Sequence, residues 1–196
     1  MQTEERRISI SAALGLVLAA GALYCATHLM NGWAFQTFEL SDHVNLVYLP
    51  SFLRLMNVLV LGMLWGTLGT AAGGAMLFFW LQDNLLLATF NTAVSASCAA
   101  LSLWLLQILQ HRRLSITRLS DLIKLALLNA LLNALLHHLV WTWLDPNQLV
   151  TPHQVVFMVI GDINGALLGA LALRWLATRT SLIEHAQQKV ADQSPK

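Results

Sequence analysis

The feature that most limits the fold of this chain is a succession of apolar stretches, most of them about twenty residues or longer and almost free of charge. At 1.5 Å rise per residue, ~20 helical residues cover the ~30 Å hydrocarbon core of a bilayer. Inside that core every backbone N–H and C=O must find a partner within the protein, which leaves helix bundles and closed barrels. Runs of this length fit spanning helices, so the fold class is all-α, a polytopic membrane helix bundle. Composition agrees: 57% of the residues are hydrophobic and only 11% charged, against roughly 25% charged in ordinary soluble domains. The formal net charge of +1 offers no basic stripe for phosphates, so nucleic acid is excluded and the lipid bilayer is the first partner.

Length and punctuation predict about six transmembrane helices within one domain, residues 1–179, at 8–30, 46–64, 66–81, 85–109, 119–144 and 153–177. A polar cytoplasmic tail, 180–196, follows. The second and third segments share one apolar run divided by Gly62, Gly66 and Gly69, and the third is short enough to be tilted, broken or partly re-entrant. Arg6 and Arg7 precede an apolar run with an Ala20-Gly21-Ala22 site, but apolarity continues to about Met30, so this segment is expected to stay as an uncleaved helix. Arg112, Arg113 and Arg118 fall between segments four and five, and Arg174, Arg179 and Lys189 at or after six. Glu39, Asp42, Asp83 and Asp145 occupy the opposite loops. With an even number of spans all the basic residues share one side, giving cytoplasmic N and C termini. Pro50, Pro146 and Pro152 mark the outer ends of helices, and Trp33, Trp80, Trp141 and Trp143 are expected near the outer interface.

Two charges lie deep inside these segments. Asp162, in Gly161-Asp162-Ile163-Asn164-Gly165, is ~14 Å from the outer end of its helix, and Arg54 is ~12 Å from the outer end of its own. A carboxylate at such depth normally has a partner, a wet pocket or a function. Asn57, Asn91, Asn133 and His137 fall at similar depth, ~9–16 Å. Asn129, Asn133 and His137, spaced i, i+4, i+8, line one face of their helix. The polar groups converge on the outer half of the bundle, either as interhelical hydrogen bonds or as the wall of an outward-facing pocket. Arg54 and Asp162 could pair with each other, or Arg54 could grip an anionic or carboxylate ligand with its planar fork. The candidate ligand-binding residues are Arg54, Asp162, Asn57, Asn133, His137 and Asn164.

Gly161, Gly165 and Gly169 form a ladder at four-residue spacing, repeated at Gly62/Gly66 and Gly69/Gly73. Such faces let helix backbones approach closely, within the chain or across a homo-oligomer. Cys25 and Cys98 fit buried free thiols. Tyr24 before Cys25 makes a poor lipidation site. Of the seven histidines, His28, His137, His138 and His153 form a weak alternative set of metal ligands, without the spacing of a known site. No phosphate loop, nucleophile elbow or zinc-protease helix is present, so neither an enzyme nor a cofactor is expected.

The run Tyr48-Leu49-Pro50-Ser51-Phe52-Leu53-Arg54, followed by apolar residues and Gly62, resembles the proline-containing second segment of MASE1-type bacterial membrane sensor domains. Arg118-Leu119-Ser120-Asp121-Leu122-Ile123-Lys124 and Gly161-Asp162-Ile163-Asn164-Gly165-Ala166-Leu167-Leu168 are similar to that family's closing segments. The resemblance covers about residues 44–177. It departs where Ser51-Phe52 replaces the family's usual Ala-Gly, in the helix count, which is about eight in the family, and in lacking a fused kinase or cyclase module. Arg54 is not carried over from it. The resemblance implies a stand-alone sensory or ligand-binding module of the bacterial inner membrane that signals through a partner protein. A second expectation is a transport component similar to the substrate-binding subunits of energy-coupling-factor transporters, with Gly66 to Gly74 as a docking patch. A third is a structural subunit of a membrane complex.

Overall fold

Among the described residues, five helices are long and apolar enough to cross a membrane. They are α1 (Ile10–Ala34), α2 (Pro50–Leu81), α3 (Leu85–Gln110), α4 (Leu119–Leu144) and α5 (Pro152–Arg179). A short antiparallel hairpin, β1 (Glu39–Ser41) with β2 (Val44–Asn45), follows α1. The computed structural model describes residues 9–41, 44–81, 84–114, 118–144 and 151–179. The 180–196 tail lies outside them, as do Arg6, Arg7, Asp42, His43, Asp83, Asp145, Pro146 and Lys189.

The partition of side chains is the reverse of a water-soluble fold. Leu18, Val60, Phe79, Leu139 and Leu167 are exposed, whereas Asn129, Asn133, Arg54, Asp121 and Asp162 are buried. A chain that places leucine outward and its ions inward is matched to an apolar solvent. Trp33, Trp80 and Trp143 are exposed at the end of the bundle that carries the β hairpin. Trp141 departs from the expected interfacial position: it is buried, and its indole N–H donates to Asn91 Oδ1 at 2.8 Å. Cys25 and Cys98 are buried free thiols.

Residues 46–64 and 66–81 were expected as separate segments; the structure joins them in α2 and starts the helix later, at Pro50. Gly62 breaks it, with φ 83° and ψ 168°, a region open essentially to glycine alone. The helix does not merely bend there. Asn57 Nδ2 donates to Thr70 Oγ1 at 3.1 Å, and a Cβ on Gly66 would strike the Asn57 carbonyl. In a straight helix residues 57 and 70 would be ~20 Å apart. The two arms, 50–61 and 63–81, therefore fold back on each other as a helical hairpin.

Neighbouring contacts fix the direction of every element. The 63–81 arm runs parallel to α1, because Gly69 meets Ala20 and Gly73 meets Gly21 and Tyr24. The pairs Ser95 with His137 and Asn91 with Trp141 make α3 and α4 antiparallel. The α5 glycines Gly161, Gly165 and Gly169 face Asn45, Tyr48 and Phe52 in turn, so α5 runs alongside residues 45–52. The start of α1 and the end of α5 consequently share the end of the bundle where Arg112 grips Asp121 through two hydrogen bonds of 2.7 and 2.6 Å.

Gly161 and Gly165 receive an extended strap, residues 44–49, rather than a helix, and Gly169 receives the Phe52 side chain from the first turn of α2. A Cβ on Gly161 or Gly165 would collide with the carbonyl of Asn45 or Tyr48. Extended backbone at this depth must have its polar groups satisfied by protein. Asn164 donates to the Leu46 carbonyl, Asn31 donates to the Val47 carbonyl and accepts from the Leu49 N–H, and the Tyr48 N–H reaches the Gly161 carbonyl. The glycine faces are thus filled from within the chain.

Candidate functional site

Arg54 projects from the first arm of α2, Asn133 from α4 and Asp162 from α5, and the three close into a ring. Arg54 Nη2 lies 2.7 Å from Asp162 Oδ1 and Nη1 lies 2.6 Å from Asn133 Oδ1. Asn133 Nδ2 completes it, donating to Asp162 Oδ2 at 2.8 Å. Both ions are 1% exposed. Burial of a charge pair is tolerable only when its remaining hydrogen-bonding capacity is met. Here Asn133, with one acceptor and one donor on the same amide, meets much of it from both sides, while Arg54 Nε is buried without a hydrogen-bond partner among the described residues.

The ring forms the floor of a cavity of about 210 Å³ on the side of the β hairpin. His137, one turn along α4 from Asn133, forms part of its wall. Its Nδ1 lies 2.9 Å from the Asn133 carbonyl, which can only accept, so the proton sits on Nδ1. Nε2 faces the Ser95 hydroxyl at 3.3 Å. Across the cavity, His28 Nδ1 meets the Tyr48 hydroxyl at 3.0 Å, and the Tyr24 and Tyr48 hydroxyls are 3.4 Å apart. The Arg54 guanidinium lies over the Tyr48 ring, 5.4 Å from its centre, a cation–π contact that adds to the stabilisation of the buried charge.

Four of the six predicted site residues, Arg54, Asp162, Asn133 and His137, border this cavity. Two are committed elsewhere: Asn57 bonds Thr70 and ties the arms of α2, and Asn164 holds the strap. Sequence reasoning missed Tyr24, Thr70 and Ser95, which also border it. A signal for one of them existed, since Tyr24, His28 and Asn31 follow i, i+4, i+7 spacing on α1 and so share a face.

The histidines do not converge. His28 and His137 border the cavity, His138 is buried with its Nδ1–H donating to the Ala134 carbonyl, and His153 is exposed. Among the described residues no group of three or more histidine, cysteine, aspartate or glutamate side chains is placed to hold a metal ion. Chemically the site offers a desolvated ion pair, an imidazole and several hydroxyls and amides around a small cavity. Comparisons with family models, with curated proteins and with solved structures find no match to this chain.

Proposed function

We propose that this chain is a sensory, ligand-binding module of a bacterial inner membrane, receiving a small polar molecule from the outer side. The observation that carries the reading is the cavity floored by Arg54, Asp162 and Asn133. A polar cavity built over a closed charge network, in a bundle otherwise apolar on its surface, is the kind of site where small ligands are held.

In this reading α2 supplies two passes of unequal depth, so six helical segments cross or enter the bilayer and both termini are cytoplasmic. The charge distribution supports it: Arg112, Arg113 and Arg118 lie at the end opposite the β hairpin, and Glu39 lies on the hairpin. Ligand occupancy would be passed on by a partner membrane or signalling protein.

Transport is the second reading, and one feature favours it. Beyond the cavity floor the polar face of α4 continues to buried Asn129, neither of whose amide atoms has a hydrogen-bond partner among the described residues. Leu125, buried in an apolar cluster with Leu55 and Leu103, separates Asn129 from Asp121 on the same face of α4.

Accessibility separates the two. A Ser95→Cys variant in a Cys25→Ala/Cys98→Ala background is treated with a membrane-impermeant thiol reagent, in spheroplasts and in inverted vesicles. A sensor pocket is labelled from the outer side alone, a transporter from both sides in turn. Labelling from neither side, or only from the cytoplasmic side, removes the outward-pocket reading.

A further inference from the structure

Resting on the reading of the cavity as an outward-facing ligand site, we propose that its ligand is an uncharged, planar, hydrogen-bonding molecule, of the class of heteroaromatic amides, rather than an anion or an amine.

Charge comes first. Both Nη atoms of Arg54 and both carboxylate oxygens of Asp162 are already engaged within the ring. Arg54 Nε has no hydrogen-bond partner among the described residues, but the guanidinium charge is already balanced by Asp162, so an anion bound there would leave two negative groups sharing one guanidinium away from water. A cation meets the mirror problem at Asp162. Within the buried floor neither has a spare countercharge, and an unpaired ion in a low-dielectric site is strongly disfavoured. The other charged residue of the described lining, Glu39, is exposed on the hairpin, where water and salt screen it, so it repels anions and attracts cations only weakly.

What remains is neutral hydrogen-bonding capacity on one wall. Asn91 uses its Oδ1 to accept from Trp141, so its amide N–H groups are the part left for a ligand. Thr92 and Ser95 add hydroxyls from the same helix. The His137 Nδ1–H is held by the Asn133 carbonyl, which fixes the orientation of the ring in the wall. The lining also includes Leu77 and Phe78 of α2, Trp141 of α4 and Met158 of α5. A flat molecule with donors and acceptors on its edge and apolar faces suits a lining that mixes amides and hydroxyls with aliphatic and aromatic surface. The volume, about 210 Å³, is below the range of drug-sized pockets, roughly 300–1,000 Å³, and suits a single-ring metabolite.

Three probes of nearly equal shape test the charge rule: nicotinamide, nicotinate and 3-(aminomethyl)pyridine, which are neutral, anionic and cationic near pH 7. Binding to the full chain in phosphatidylcholine nanodiscs is followed by saturation-transfer difference NMR. Ser95→Trp and Ala88→Phe, two independent cavity-filling variants, report partition into lipid, and size-exclusion chromatography reports their folding. The expected result is nicotinamide binding at least ~10-fold tighter than either ion, a difference that is lost in both filled variants. Asp162→Asn keeps the shape of the ring and removes its negative charge, so it should reverse the order and favour nicotinate. Preference of the wild type for nicotinate or the amine overturns the ligand class and leaves the pocket standing. Equal signals from wild type and filled variants for all three probes also overturn the ligand class. Whether the pocket reading falls with it is read separately, from Ser95→Cys labelling.

Discussion

Removing the Asp162 carboxylate tests whether the Arg54–Asp162–Asn133 ring is a desolvated ion pair or a wet contact. In Asp162→Ala the Arg54 guanidinium stays buried with no counterion, and Asn133 Nδ2 loses its acceptor. Leaving a buried charge unpaired costs about 3–5 kcal/mol. For a chain of this size that corresponds to a fall in melting temperature on the order of 10 °C. Tryptophan fluorescence during thermal unfolding in detergent measures it. Removing Arg54 as well does not repair the site, because Asn133 then has neither partner. The matched control is therefore the triple change Arg54→Met/Asn133→Leu/Asp162→Leu, which replaces the whole ring with apolar groups of similar volume. It should unfold within about 1 kcal/mol of the wild type or above it, while losing the polar floor of the cavity. Were Asp162→Ala within about 1 kcal/mol of wild type, the guanidinium would be reaching water or another anion, and the desolvation argument would fail. Were the triple variant as unstable as the single one, packing rather than charge would be responsible.

Three further outcomes are expected. In a background lacking Cys25 and Cys98, Asn57→Cys and Thr70→Cys should form a disulfide on mild oxidation, seen as a 2 Da mass loss; a continuous α2 would leave them uncrosslinked. Gly165→Leu should abolish monodisperse folded protein, because a side chain there meets the Tyr48 carbonyl, whereas Gly15→Leu, which faces open space, should behave as wild type in the same chromatographic assay. Cytoplasmic fluorescent-protein fusions at the N and C termini should both be bright and periplasmic phosphatase fusions at both silent; opposite results at the two ends exclude the even number of passes.

The membrane-helix class and the level of the deep charges were legible because both follow from arithmetic on a fixed rise. The helix count was not: about six were expected and five are found among the described residues, the second broken at Gly62. Arg54 and Asp162, ~12 and ~14 Å deep by counting, do meet. The stripe of Asn133 and His137 was legible as a periodicity, and it does border the cavity. The strap was not legible. Val44-Asn45-Leu46-Val47-Tyr48-Leu49 is apolar enough to read as the start of a helix, and hydropathy does not distinguish extended from helical backbone when both are buried. The glycine ladder announced a close approach but not what approaches. Asn164 was grouped with the cavity for its depth, when its amide serves the Leu46 carbonyl. Depth places a residue along the membrane normal and says nothing of rotation about the helix axis, which is also why Asn57 was assigned to the wrong neighbour.

The strap and the ring set a timetable for biogenesis. Arg54 is made 108 residues before Asp162, an interval of about 5–20 s at bacterial-to-eukaryotic elongation rates of roughly 5–20 residues per second. Through that interval the guanidinium has no carboxylate, and the Leu46 and Tyr48 backbone groups lack Asn164 and the Gly161 carbonyl. The first four helices must therefore wait at the membrane with a charge and an unpaired peptide segment held near water. Helix α5 is the piece that draws both into the bilayer, and the cavity comes into existence only as it arrives.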